Sequence, residues 1–160
     1  MSQIAEYMHC EHTASLWLER YEQETSIQRQ LLAQTIARQS VMLLRISGEQ
    51  LVVYGRRNVG AVLYDDLKLH CPYDSEAIEV EQIVELSFVQ QCNPVHLLLV
   101  IDQEPVSLTH WERIRHDERW QELAAVRGQT VYFVSEMPWL EYSPLAHQWI
   151  VQRIQSVLQR

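Results

Sequence analysis

Apolar residues in this chain fall into two kinds of run: spaced ones in polar surroundings and short unbroken ones. From about His12 to Gln39 there is no glycine or proline, and Leu, Gln, Glu and Arg predominate, which predicts a long helix. Leu16, Leu18, Ile27, Leu31, Leu32 and Ile36 fall partly on one face of it. Val41–Ile46 (VMLLRI) is a short apolar run bounded by Ser-Gly and predicts a buried strand. Ser47-Gly48-Glu49 turns the chain into a hairpin partner, Leu51–Tyr54. A polar loop, Gly55–Asn58, precedes Val59, Val62, Leu63 and Leu67 at helical spacing. Pro72–Ser75 marks another loop, and a helix is expected over about Val80–Phe88. His96–Ile101 (HLLLVI) is unbroken, as in a parallel strand covered on both faces. Two short helices (Ser107–Arg115, Asp117–Leu123) and a strand (Val131–Val134) follow, the last introduced by the turn at Gly128. Ser143 can cap a final helix with Pro144 at its first position and Ala146, Ile150, Ile154, Val157 and Leu158 inward. This alternation predicts an α/β fold, a three-layer helix/sheet/helix unit with a partly parallel central sheet, preceded by a long connecting helix.

Composition narrows the function. The chain has 160 residues, enough for one domain with its own core, and a formal net charge of -8. That balance argues against direct nucleic-acid contact by this segment, because phosphate neutralisation needs a basic face. Lys68 is the only lysine, so nearly every cation is an arginine, suited to planar recognition of anions, though compositional bias gives the same count. Cys10, Cys71 and Cys92 form neither a disulfide framework nor a zinc signature, which suits a reducing compartment. No apolar run approaches the roughly 20 residues of a membrane span. The first residues lack a basic stretch followed by an apolar core, so the chain as given is expected in the cytoplasm.

Candidate chemistry is sparse. His9, Cys10 and His12 are the densest set of potential metal ligands, but the segment is terminal and no second pair follows at ligand spacing, so a solvated or frayed terminus is the preferred account of them. His70-Cys71 lacks the separation that lets a base meet a thiol, and Asp65-Asp66 reads as a solvated face at the end of a helix. The chain has only Gly48, Gly55, Gly60 and Gly128, and neither a phosphate-cradling loop nor a nucleophile elbow occurs. No catalytic residue, cofactor or protein-bound metal is expected. Trp111, Trp120 and Trp149 lie in helical patterns and read as core. Trp139 lies in the loop Glu136–Tyr142 between a strand and a helix, where open α/β sheets bind ligands; core packing and a ligand wall both remain open for it. Arg56 and Arg57 are adjacent in the other loop of interest, either solvated or forming an anion site with walls from Tyr54, Trp139 and Tyr142.

Three stretches resemble the carboxy-terminal half of the iron-siderophore and cobalamin-type substrate-binding proteins of ABC importers. Val41–Pro72 is similar to that family's strand, hairpin, glycine-containing loop and following helix, with Lys68 in place of a glycine. Ile78–Ile83 and Asn93–Ile101 resemble the next helix and strand, Glu79 and Val95 departing from the usual serine and aspartate. Arg119–Tyr132, then Trp139 and Ser143–Ala146, carry the most specific likeness. The resemblance runs from about Trp17 to the end. It implies a tail and interlobe helix over 1–40 and a carboxy-terminal substrate-binding lobe over 41–160, with the amino-terminal lobe absent. It implies a cleft side built from Arg45, Tyr54, Arg56, Arg57, Trp139 and Tyr142 around an anionic ferric siderophore whose iron is held by the siderophore itself. Glu81 falls where the family places a glutamate that docks onto the permease, and equally where a solvated acid would suit a helix start. Related domains occur behind the DNA-binding part of AraC-type regulators in the cytoplasm, and that setting is slightly preferred here. A truncated transport receptor would instead be periplasmic or membrane-anchored. A truncated cobalamin or haem receptor, or a protein-interaction module of the same fold, are the alternatives.

Overall fold

The computed structural model describes residues 11–36 and 38–159. Five strands form one sheet in the order β3-β2-β1-β4-β5, with β1 Val41–Ser47, β2 Gln50–Tyr54, β3 Glu81–Val84, β4 His96–Ile101 and β5 Val131–Phe133. β1, β4 and β5 run parallel, whereas β2 and β3 are antiparallel additions on one side. The expected α/β layering with a partly parallel sheet is what is found.

Both faces of β1 and β4 are covered, which is why neither strand alternates. Val41, Leu43, Val52, Tyr54, Leu98, Val100 and Tyr132 pack on one face beneath α1 (Glu11–Thr35), the short π-helical turn α2 (Ala61–Asp66), α7 (Glu136–Trp139) and α8 (Pro144–Leu158). Met42, Leu44, Ile46, Leu51, Val53, Leu97 and Leu99 pack on the other, under α3 (Leu86–Cys92), α4 (Pro105–Ile114), α5 (Glu118–Gln121) and α6 (Ala124–Arg127). Arg45 is the one charged residue of β1, on the first of these faces and near the strand's end.

Two expectations need correction. The stretch 80–88 is not one helix: Glu81–Val84 pairs with β2 as an edge strand, and α3 begins only at Leu86. Its residues are mostly exposed, so the run lacks the apolar stripe of a buried helix. In α1, Leu16 and Ile27 face solvent at 53% and 57% exposure. The inward face is set instead by Trp17, Tyr21, Thr25, Gln28, Leu32 and Ile36, spaced three or four apart. Much of that face is polar. Trp17 Nε1 donates to Gln148 Oε1 at 3.0 Å, Gln148 and Gln152 both donate to Glu24, and the Tyr21 hydroxyl donates to Asp66 at 2.6 Å. A seam fastened by hydrogen bonds carries little hydrophobic signal along the sequence. His9 and Cys10 lie outside the described residues.

Ser143 caps α8 as expected, accepting from the Ala146 amide at 3.2 Å with Pro144 at the first turn. The other end of α8 is tied to the sheet. The Tyr132 hydroxyl donates to the Leu158 carbonyl at 3.0 Å, and its oxygen lies 3.1 Å from Nδ1 of His96, which is 5% exposed. Burial holds the His96 pKa below that of a free imidazole. The unfolded chain then binds more protons than the folded one once pH falls below the ordinary histidine value of about 6.5. Stability from this residue is complete above that value and declines as pH falls through the window beneath it. Urea denaturation at pH 7.5 and 5.5 will show a smaller loss in His96→Gln than in the parent.

The loop after β2 closes around two glycines. A Cβ on Gly55 would overlap the Ile78 carbonyl, and one on Gly60 would overlap the Gly55 carbonyl oxygen. Since both obstacles are backbone, Gly60→Ala is expected to cost more than about 3 kcal/mol, as measured by the urea midpoint.

Candidate functional site

Three charged side chains converge where the parallel strands end. Arg45 lies near the end of β1, Asp102 directly follows β4, and Glu136 opens α7 just after β5. Their meeting follows from register, because Ile46 lies opposite Ile101 and the Asp102 amide donates to the Ile46 carbonyl at 3.0 Å. Arg45 grips Asp102 with two bonds, Nε to Oδ1 at 2.7 Å and Nη2 to Oδ2 at 2.9 Å, and reaches Glu136 at 3.1 Å. The paired geometry matches a guanidinium fork to a carboxylate. Asp102 is only 7% exposed, so this partner also satisfies a charge removed from water. The bond to Asp102 raises the Arg45 pKa further and keeps the guanidinium charged.

Tyr54 completes the group. Its ring lies in the core and the residue is 4% exposed, yet its hydroxyl has no hydrogen-bond partner among the described residues. Burial pushes the phenol up to about 12, opposed by neighbouring Arg45 and assisted by Glu81 and Asp102. Glu81 stands directly opposite Tyr54 in the β2–β3 ladder, so their side chains share a face. The residue expected at a helix start is therefore the exposed first residue of an edge strand, beside the orphan hydroxyl.

The remaining candidates separate. Arg56 turns away from this group, with Nη1 3.0 Å from Asp65 and 3.1 Å from Glu76 and its Nε donating to Ser75. Arg57 pairs with Glu79 at 3.6 Å. Trp139 is 1% exposed inside the core and offers no open ring face, so of the two roles left open by the sequence it takes the packing one in this structure. Tyr142 is 80% exposed, its ring edge-on to His147 with centroids 6.0 Å apart.

Asn58 joins the two loops. In a left-handed conformation (φ 51°), it donates from Nδ2 to the Leu140 carbonyl at 3.1 Å while its Oδ1 lies 3.2 Å from His147 Nε2. Because that asparagine oxygen only accepts, the histidine proton sits on Nε2. The loop carrying Arg56 and Arg57 and the one carrying Trp139 and Tyr142 are therefore neighbours, although Arg56, Arg57 and Trp139 line no common pocket. Asp102, Glu136, Asn58 and His147 escaped the sequence reading. Only Asp102, an acid directly after an unbroken apolar strand, left a local signal. Among the described residues no group of three His, Cys, Asp or Glu side chains is placed to hold a metal ion.

Removing the guanidinium leaves Asp102 charged and shielded from water. Arg45→Met is expected to cost about 2 kcal/mol in urea denaturation, much of it recovered in Arg45→Met/Asp102→Asn. Tyr54→Phe, which deletes a hydroxyl with no partner, is expected to change stability by less than about 0.5 kcal/mol.

No family model matches the chain. Over 156 residues it is 29% identical to the HTH-type transcriptional activator Btr of Bacillus subtilis, an alignment covering 98% of this chain and 29% of Btr. Among solved structures it superposes on Staphylococcus aureus SirA with a TM-score of 0.84 at 15% identity, covering 99% of this chain and 63% of SirA. S. aureus FhuD2 with bound ferrioxamine B gives 0.83 at 15% identity, covering 98% and 62%. The triscatecholate siderophore binding protein FeuA of B. subtilis, complexed with ferri-bacillibactin, gives 0.80 at 18% identity, covering 94% and 55%. The chain thus spans under a third of the curated relative and less than two thirds of each structure. At these identities the likeness is one of architecture, and the chain has the FhuD-like fold over its described length.

Proposed function

We propose that this chain is the carboxy-terminal lobe of a two-lobed module that binds a ferric siderophore, and that the module serves as a sensor. Support comes first from the superposition: nearly all of this chain matches a part, and only a part, of proteins that carry ferrioxamine B or ferri-bacillibactin. The converging side chains lie at the carboxyl ends of parallel strands, where ligands of open α/β sheets bind. The surface there is an incomplete wall. In this reading residues 41–160 form the lobe and α1, fastened along α8, is the connecting helix. The siderophore supplies all the ligands to iron, and the protein recognises the complex without catalysing a reaction.

Regulation is preferred over transport because the sequence likeness to Btr extends over 98% of this chain. A DNA-binding domain in the same polypeptide would then be the partner, with the iron complex as its signal. Glu81 as a permease-docking residue belongs to the transport reading. Its place beside Tyr54 suits contact with ligand as well.

Ferric siderophores absorb where tryptophan emits, so binding near the five tryptophans quenches their fluorescence. Titration of the complete two-lobed protein with ferri-bacillibactin, ferrioxamine B and ferric citrate is expected to give saturable quenching with one of them. Absence of quenching with all three rejects the reading, and capture of a protein partner under the same conditions would favour an interaction module.

A further inference from the structure

The arginines expected to meet an anion are already committed to carboxylates. Arg56 lies between Asp65 and Glu76, Arg57 faces Glu79, and Arg45 holds Asp102 and Glu136. Around the Tyr54 hydroxyl the charged neighbours are Arg45, Glu81 and Asp102, and Glu136 is bonded to the same guanidinium. One guanidinium thus stands among three carboxylates, in a chain whose formal net charge is -8. A strongly anionic ligand would meet a guanidinium whose Nε and Nη2 already serve Asp102 and Glu136, leaving only Nη1 to receive it. It would also meet those carboxylates at close range, with like charges repelling.

An acid-rich surface alone would say little. The second observation is the Tyr54 hydroxyl, buried with its residue 4% exposed and lacking a partner among the described residues. A buried polar atom without a partner is uncommon and calls for one. This one can donate a hydrogen bond to a ligand oxygen, while Glu81 and Glu136 stay exposed to receive cationic or N–H groups.

We infer that this lobe favours ferric complexes of neutral or positive overall charge, of the hydroxamate type, over trianionic tris-catecholates. The inference rests on the ferric-siderophore reading and narrows it, reversing the expectation of an anionic ligand drawn from the arginines. Selectivity arises from charge: Tyr54 supplies a hydrogen bond that any hydroxamate oxygen can take, and the carboxylates penalise net negative charge.

The complete two-lobed protein is titrated, by tryptophan quenching at low and at physiological salt, with monocationic ferrioxamine B, neutral ferrichrome and trianionic ferri-bacillibactin. Because the opposing lobe adds charges of its own, the deciding quantity is the change in selectivity caused by substitutions in this lobe. Glu136→Gln and Glu81→Gln, both at exposed positions, are expected to shift the ferrioxamine-to-bacillibactin affinity ratio at least about threefold each toward bacillibactin, the shift shrinking as salt is raised. Tyr54→Phe is expected to weaken ferrioxamine B and ferrichrome alike by about threefold to tenfold. Tightest binding of ferri-bacillibactin, with a ratio unmoved by the glutamine variants, overturns the inference and leaves the siderophore reading standing. Failure of all three complexes to bind overturns both.

Discussion

The structure depends on the parallel pairing of β1 with β4, two strands buried on both faces. Such a pair cannot leave either face to water, so helices must lie on each side and the chain must cross between them. The placement of α3–α6 on one face and of α1, α2, α7 and α8 on the other follows from that requirement. So does the location of charge. A guanidinium within β1 is tolerable only near the strand's end, where the covering layer stops and a partner can approach. Asp102, one residue beyond the end of β4, is delivered by the same register that pairs Ile46 with Ile101. The ion pair at the candidate site is thus a consequence of the sheet's construction.

The parts of the fold legible in the sequence are those where one local signal had one cause. VMLLRI and HLLLVI are unbroken because both faces are covered, and Ser143-Pro144 starts a helix through its own side chain and ring. The signals failed where tertiary context reassigned them. Glu81–Val84 is an edge strand because β2 offers it a ladder, something no residue within it announces. The apolar pattern of α1 marks its inner face at Leu32 and Ile36 but not at Leu16 or Ile27, because the rest of that face is held by Gln148, Gln152 and Asp66, more than forty residues away.

At the site the same division holds. Tyr54 is legible as a wall of the loop site and Arg45 only through the family resemblance, and the structure brings the two together. Asp102 and Glu136 are not legible, since an acid's meaning lies in its partner, 57 residues away from Arg45 in one case and 91 in the other. Trp139 shows the complementary problem. A tryptophan in a loop at a strand's end has the same sequence whether its ring faces a ligand or the core. Here the core takes it, because α7 turns the residue inward onto the sheet.

The surface that results is rigid. Arg45 is fixed by a bidentate bond to a buried carboxylate, Tyr54 by a ring embedded in the core, and the two loops by Asn58, which bonds Leu140 and His147 at once. Side chains held by such supports lose little freedom on meeting a ligand, so little ordering entropy opposes association. On the proposed reading, recognition by this wall would rest on a charge pattern set before the ligand arrives. In a two-lobed module, whatever motion accompanies binding then falls on the opposing lobe and on the seam between α1 and α8. Towards the start of α1 that seam is built of hydrogen bonds between Trp17, Glu24, Gln148 and Gln152, which can be exchanged with water at small net cost, whereas Leu32 and Ile36 at its other end pack into the apolar core with Ile150 and Ile154. On the proposed sensor reading, a stiff recognition surface joined to a partly exchangeable seam would be a distribution of rigidity suited to passing occupancy to the connecting helix.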